Sequence, residues 1–412
     1  LKHRSLIALA LATVASIGGT RLSAVAIPWL VLTTTNSPVL TGAVAMAELL
    51  PYVAAQFLAG PYIDRLGARR VAVVCDVISV VLLMIIPVLF ALGIFSVWIL
   101  IPVVAVLGLL RGPSDTSKRA LVPQVAAVSD VPLERVTGIL GTSDRLAGTL
   151  GFAGAGVLIA LVGPVAALFI NAATFLVSGL LLFFGVLVPN PEKPTEDEPK
   201  RPHYFAELAS GIKTVVASPV YLGFAAMMLV TNMLDSAYGS VMLAVWIREH
   251  GFDVSWLGII LATFQISAIL GAVVASIYGQ TLPRVPVVIG GFLCAGPIAF
   301  MAIALSPSIW VTLAILLCCG FSAGFLNPVV SAVLFERIDR KKTGRMVGTF
   351  SAMTVVLLPF GGLYAGTLIE LTDITTTLLI SAVIYGLAVL LPLLIPGFTE
   401  FAQRRTRTST AS

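Results

Sequence analysis

The 412-residue sequence is 58% hydrophobic and 11% charged, against about 25% charged in an ordinary soluble domain. Too few polar groups remain to cover a water-facing surface, and the mean hydropathy of +1.03 excludes a soluble globular fold. The formal charge of +5 is scattered over short loops and both ends, which excludes a nucleic-acid-binding patch, and the four cysteines (Cys75, Cys294, Cys318, Cys319) fall in apolar stretches rather than in a disulfide framework.

Stretches of ~20 mostly apolar residues, the length that crosses a bilayer core, are predicted near 6–32, 38–60, 71–92, 97–117, 136–160 and 165–187. Lys2, His3 and Arg4 precede a first segment too long for a signal-peptide core, so no cleavable signal is expected. A second set follows near 219–246, 255–279, 285–305, 308–334, 346–369 and 374–396. Between the sets, residues 189–202 read PNPEKPTEDEPKRP, a Pro-rich charged linker with no apolar face. Phe205, Leu208 and Ile212 then stand at helical spacing, as in a short helix lying on the inner membrane surface. The expected organisation is a six-helix half over 1–188, a cytoplasmic linker over 189–218, a second half over 219–396 and a cytoplasmic tail over 397–412. The fold class is all-α: a polytopic membrane protein with 12 transmembrane helices in two pseudo-symmetric bundles.

Orientation follows from Lys and Arg. With the start of the chain inside, nearly all of the 25 basic residues, Lys118 and Arg119 among them, fall on the inner side. Only Arg248 falls outside, and Arg21, Arg111 and Arg145 lie within spans. An even number of spans then puts both termini in the cytoplasm. Faint echoes about 210 residues apart, such as Thr137-Gly138 and Val347-Gly348, suggest a worn internal repeat.

An ionisable residue at the centre of a span costs at least ~2.5–3.5 kcal/mol, which makes it a functional candidate. Arg21 lies near the middle of span one and Glu48 near the middle of span two. They either pair or face a cavity. Arg111 and Asp115, four apart in span four, can pair directly. Asp144 and Arg145 in span five are adjacent and cannot face each other, so at least one needs a partner on another helix. Asp235 and Asn232 share a face of span seven. Asp76, about a turn into span three, reads as a structural bond. Glu48, Asp144 and Asp235 are the candidates for carrying a proton. Arg21, Arg111, Asp115, Arg145 and Asn232, with the aromatic residues Trp29, Tyr52, Phe264 and Tyr364, are candidates for lining a substrate cavity. Gly148, Gly151, Gly154 and Gly156 in span five mark close helix contact.

The turn after span two reads Gly60-Pro61-Tyr62-Ile63-Asp64-Arg65-Leu66-Gly67-Ala68-Arg69-Arg70. Gly60 and Gly67 suit tight turns, and Arg69 and Arg70 suit the negative inner lipid surface. Its spacing and position resemble the signature loop of the major facilitator superfamily of transporters. Arg119-Ala120-Leu121-Val122-Pro123 and Thr343-Gly344-Arg345-Met346-Val347-Gly348 are similar to segments of its bacterial drug-efflux branch, which includes macrolide exporters and Tap-like multidrug pumps. The Gly151-to-Gly156 run resembles the Gly-rich fifth-helix motif of proton-coupled antiporters, without its proline, and Arg21 stands where Tap-like pumps carry an acid.

The resemblance implies a multi-pass protein of the bacterial cytoplasmic membrane, monomeric, exporting small amphiphilic compounds by alternating access in exchange for protons, with no cofactor. It also implies a gating role for Gly60, Asp64, Arg65, Gly67, Arg69 and Arg70. A lipid or lysolipid flippase, or a siderophore or metabolite exporter of the same fold, is the alternative. An enzyme is disfavoured: His3, His203 and His250 all fall outside the spans, and no zinc, serine-hydrolase or Walker A pattern is present.

Overall fold

The structure is a computed structural model that describes residues 3–188, 212–213, 215–278, 282–305, 308–326, 328–330, 343–396 and 398. The predicted linker over 189–202 lies outside these residues, as do almost all of the predicted surface helix and the tail. Among the described residues there is no strand, and 11 helices are long and apolar enough to cross a bilayer. They are α1 Arg4–Thr35, α2 Pro38–Leu66, α3 Ala68–Ala91, α4 Val97–Ser129, α5 Leu133–Gly185 and α6 Pro219–Glu249. The remainder are α7 Ser255–Tyr278, α8 Arg284–Leu305, α9 Ile309–Gly324, α10 Thr349–Leu371 and α11 Ile374–Leu394.

Helix α5 is about twice the length one crossing needs. It breaks at Gly163, whose φ of 82° is a left-handed conformation that suits glycine, and Pro164 restarts the helix. The break falls between predicted spans five and six, so the described residues make twelve crossings. Two boundaries differ from expectation. Helix α2 continues through Gly60 to Leu66, and Gly67 alone, at φ 86°, makes the turn into α3. Helix α4 runs twelve residues past the expected end at 117, carrying Lys118 and Arg119 out of the predicted loop and into a helix. Hydropathy marks where the bilayer core ends, whereas a helix continues as long as neighbours support it.

Cα proximity groups the described residues into two units: those of 1–198, 236–262 and 359–372, and those of 199–235, 263–358 and 373–412. In the first unit α1 packs along α5, and α2 packs along α4 and α10. Glycines set these distances. A side chain at Gly108 would strike the Glu48 carbonyl, and one at Gly112 would sit 2.7 Å from that of Tyr52. Gly42 abuts the Gly362 carbonyl, Gly366 abuts that of Pro38, and Gly156 lies against Gly258. Arg248, the lone basic residue expected outside, donates to the Leu32 carbonyl at 2.6 Å, a second bond to an oxygen that also accepts from the Asn36 N–H at the end of α1.

The second unit uses the same device. Gly320 and Gly324 of α9 abut the carbonyls of Phe264 and Ala268 on α7. Helices α4 and α9 also begin alike: Ser96 Oγ accepts from the Trp98 N–H and Ser308 Oγ from the Trp310 N–H, each at 3.3 Å. Matching caps and matching Gly-x-x-x-Gly pairs make α4 and α9 counterparts in a repeat.

Gly108→Leu and Gly320→Leu should each destabilise the protein by about 1–3 kcal/mol, the usual cost of overpacking. Gly60→Ala, at a helical position with nothing within 4 Å, should leave the melting temperature unchanged or raise it. Thermal unfolding of purified variants by intrinsic fluorescence checks both.

Candidate functional site

The first unit encloses a cavity of about 500 Å³ between α1, α2, α4 and α5. Its wall carries Arg21 from α1, Glu48 and Tyr52 from α2, Arg111, Asp115, Lys118 and Arg119 from α4, and Asp144 from α5, with Ser16, Thr13 and Thr20 between them. Five residues expected in four different spans (Arg21, Glu48, Arg111, Asp115, Asp144) therefore share one polar chamber.

The pairing differs from both readings of the sequence. Glu48 Oε1 forms an ion pair with Arg111 Nη1, not with Arg21. Arg111 reaches across to α2 instead of down its own helix to Asp115. The cause is the glycine contact: with Gly108 against the Glu48 backbone, α4 lies close enough for Arg111 to reach the carboxylate. Both side chains are about 15% exposed, at 15% and 14%. Asp115 Oδ2 instead accepts from the Tyr52 hydroxyl at 3.2 Å, and Gln56 Nε2 donates to the same hydroxyl oxygen at 2.8 Å. The Arg111 guanidinium carbon lies 5.7 Å from the Tyr52 ring centroid.

Behind the cavity wall is a second charged group. Asp76 on α3 is fully buried. Its Oδ2 meets Lys118 Nζ at 3.0 Å, while Ser114 Oγ donates to Oδ1 and Ser178 Oγ to Oδ2, each at 2.6 Å. Lys118 Nζ also donates to Ser16 Oγ at 2.7 Å. This network joins α1, α3, α4 and α5. Sequence reading placed Lys118 at the cytoplasmic surface. The signal that could have found it was Asp76 itself, an acid inside a span that needed a cation.

In the signature loop, Arg69 Nε donates to the Leu182 carbonyl at 3.1 Å and Arg69 Nη2 to that of Phe183. Arg4 Nη2 donates to the Phe184 carbonyl at 2.8 Å. Residues 181–185 form a π-helical turn, and the two arginines cap its open carbonyls. A separate pocket beside the turn is lined by Asp64, Gly67, Arg69 and Arg70. Gly60 and Arg65 are exposed.

The other candidates sit elsewhere. Arg145 is exposed and off the cavity wall. Trp29 and Tyr364 are half-buried and also off it. In the second unit, Asn232 Nδ2 donates to the Thr354 carbonyl at 3.0 Å. Asp235, accessible on its own surface, hydrogen-bonds the buried Tyr385, which also bonds Thr231. Phe264 offers its carbonyl to the Gly320 contact. Of the span-five glycines, Gly148 and Gly151 lie beside Arg21 and Gly156 beside Gly258, while Gly154 meets nothing within 4 Å.

Two overlapping segments, 9–239 and 224–410, match the family model of the Major Facilitator Superfamily. The chain belongs to that superfamily. Among curated relatives, it is 26% identical to a protein named multidrug efflux pump Tap from Mycolicibacterium fortuitum, over 98% of this chain and 97% of that one. It is 28% identical to the protein of the same name from Mycobacterium tuberculosis (strain ATCC 25618 / H37Rv), over 94% and 93%. Among solved structures, it superposes on the nucleoside transporter NupG (D323A mutant) with a TM-score of 0.78, at 16% identity, covering 94% of this chain and 98% of that one. A bacterial homologue of the human lysosomal transporter Spinster, inward-facing and unoccupied, superposes at 0.68 and 12% identity, covering 97% and 96%. This superfamily member is a multi-pass membrane transporter rather than an enzyme.

Lys118→Met should be severely destabilising, by about 3–5 kcal/mol, because it leaves the Asp76 carboxylate buried and unpaired. The double variant Asp76→Asn/Lys118→Met should recover most of that loss. Melting temperatures across the four-member cycle check this, and a double variant no better than the single one would show that the pair is not what matters.

Proposed function

We propose that this chain exports small amphiphilic, drug-like compounds across a bacterial cytoplasmic membrane, in exchange for protons. The protein acts as a monomer with both termini in the cytoplasm and needs no cofactor. Halves 1–188 and 219–396, joined by the 189–218 cytoplasmic linker, rock about the cavity, and residues 397–412 form a cytoplasmic tail. Export is supported by relatives named as multidrug efflux pumps and similar over nearly the full length.

The observation that carries the proton reading is the Glu48–Arg111 pair, which faces a polar chamber instead of being sealed in the core. A pair in that position can exchange its partner for a proton, whereas the more deeply buried Asp76–Lys118 pair, whose carboxylate is sealed, is suited to holding helices together. Proton uptake at Glu48 releases Arg111 and changes how α2 and α4 are held. Asp115 and Asp144 line the same cavity, and Asp144, the more exposed of the two, is the second candidate. Asp64, Arg69 and Arg70 would act as a latch at the inner end of α2 and α3, through the carbonyl contacts of Arg69.

The test is the purified protein in liposomes with a trapped pH-sensitive dye and an imposed pH gradient. A panel of a macrolide, tetracycline, ethidium, a siderophore and a lysolipid is then added. Substrate-dependent collapse of the gradient is expected. Glu48→Gln should reduce it by about tenfold or more, since leaving Arg111 unpaired costs more than the ~1.4 kcal/mol that a factor of ten requires. Movement of a compound without proton flux would refute exchange, and movement of the lysolipid alone would favour a flippase.

A further inference from the structure

We infer that Arg21 is the anion-recognition group of this cavity, and that the exported compounds carry a carboxylate or enolate. This deepens the export reading and rests on it. The cavity wall holds four cations: Arg21, Arg111, Lys118 and Arg119. Arg111 is taken by Glu48, and Lys118 by Asp76 and Ser16. Arg119 is exposed, where water and salt screen it. Arg21 alone of the four is half-buried with neither an ion pair nor a hydrogen bond among the described residues. Its Nε is closed off from water and unsatisfied. A donor in that state carries a desolvation cost that a ligand oxygen would remove.

Arg21 is also held in place and left open on one edge. Its guanidinium carbon stands 4.8 Å from the Phe152 ring centroid, a stacked cation–π geometry. Its stem fits against Gly151, where a side chain would come within 2.9 Å of Arg21 Cβ. At Gly148 the missing side chain leaves space: an added Cβ would lie 3.8 Å from Nε and 3.9 Å from Nη2 and nothing else within 4 Å. Nε at that notch is sealed, so it is through the Nη groups that Arg21, on the cavity wall, meets a ligand carboxylate, as in other Arg–carboxylate pairs. Asp144, one helical turn before Gly148 on α5, lines the same cavity and its field acts on Arg21, yet no hydrogen bond joins them among the described residues.

Binding is measured on the full chain in nanodiscs of zwitterionic lipid, at neutral pH and physiological salt. The probes are pyrenebutyrate, its methyl ester and pyrenebutyl-trimethylammonium, read by fluorescence anisotropy. The carboxylate should bind about tenfold or more tightly than the ester, as a charge-assisted pair allows, and the ammonium probe most weakly. Arg21→Met should abolish the preference and Arg21→Lys should retain part of it. Gly148→Val, which fills the notch without touching the charge, should weaken the carboxylate selectively and covers the case in which Arg21→Met does not fold. Equal binding of all three probes, or a preference that survives Arg21→Met or Gly148→Val, would overturn the inference. The same probes are then followed across proteoliposomes. A carboxylate that binds through Arg21 but is never carried would sink export and leave the anion site standing. Carriage of the ester or ammonium probe with binding indifferent to Arg21 would leave export standing and sink the anion site.

Discussion

The first half of this molecule depends on how it solves one problem: several full charges lie where water is scarce. An isolated charge there is prohibitively costly, and a pair is tolerable only if its remaining hydrogen-bonding capacity is met. Asp76 and Lys118 meet that condition completely. Two serine hydroxyls satisfy the carboxylate and a third takes the ammonium. The four helices that supply these groups cannot slide past one another without breaking several bonds at once. A fixed frame of this kind lets the neighbouring chamber carry charges that are less completely matched.

Glycine does the complementary work. In a bilayer there is no hydrophobic force between helices, so close packing depends on small residues that let backbones approach. The contact of α4 with α2 through Gly108 and Gly112 brings Arg111 to Glu48. In the second unit the corresponding contact of α9 with α7 brings no charge pair, because Phe264 stands where α2 has Glu48. One architectural device thus serves a charge pair in one unit and, among the described residues, an uncharged contact in the other.

Much of this was legible in the sequence. Hydropathy is a strong signal when every crossing must be apolar, so the spans and the class emerged directly, and the turn at Gly67 emerged with its neighbours. The pairing of charges did not. Arg111 has an acid four residues away on its own helix, and helical spacing alone favours that partner. Only the glycine contact, which depends on which helices are neighbours, directs Arg111 to Glu48. Lys118 was hidden for a related reason. Charge counting assigns a lysine near the end of an apolar stretch to the water side, while the acid that draws it inward lies on a different helix. The repeat was faint because it survives in small residues and caps, Gly108 with Gly112 and Gly320 with Gly324, Ser96 and Ser308, and hardly in the apolar residues between them.

The Glu48–Arg111 pair has an electrical consequence. With the carboxylate ionised, the pair is neutral and its passage from one side to the other moves no net charge. With a proton on Glu48, Arg111 is uncompensated, and the same rearrangement carries a positive charge through the membrane field, worth ~2.3 kcal/mol per 100 mV for a full crossing. On the proposed exchange, an inside-negative potential would draw the protonated form inward, and it would also favour the outward passage of an anionic substrate, so the voltage would assist both halves of the cycle.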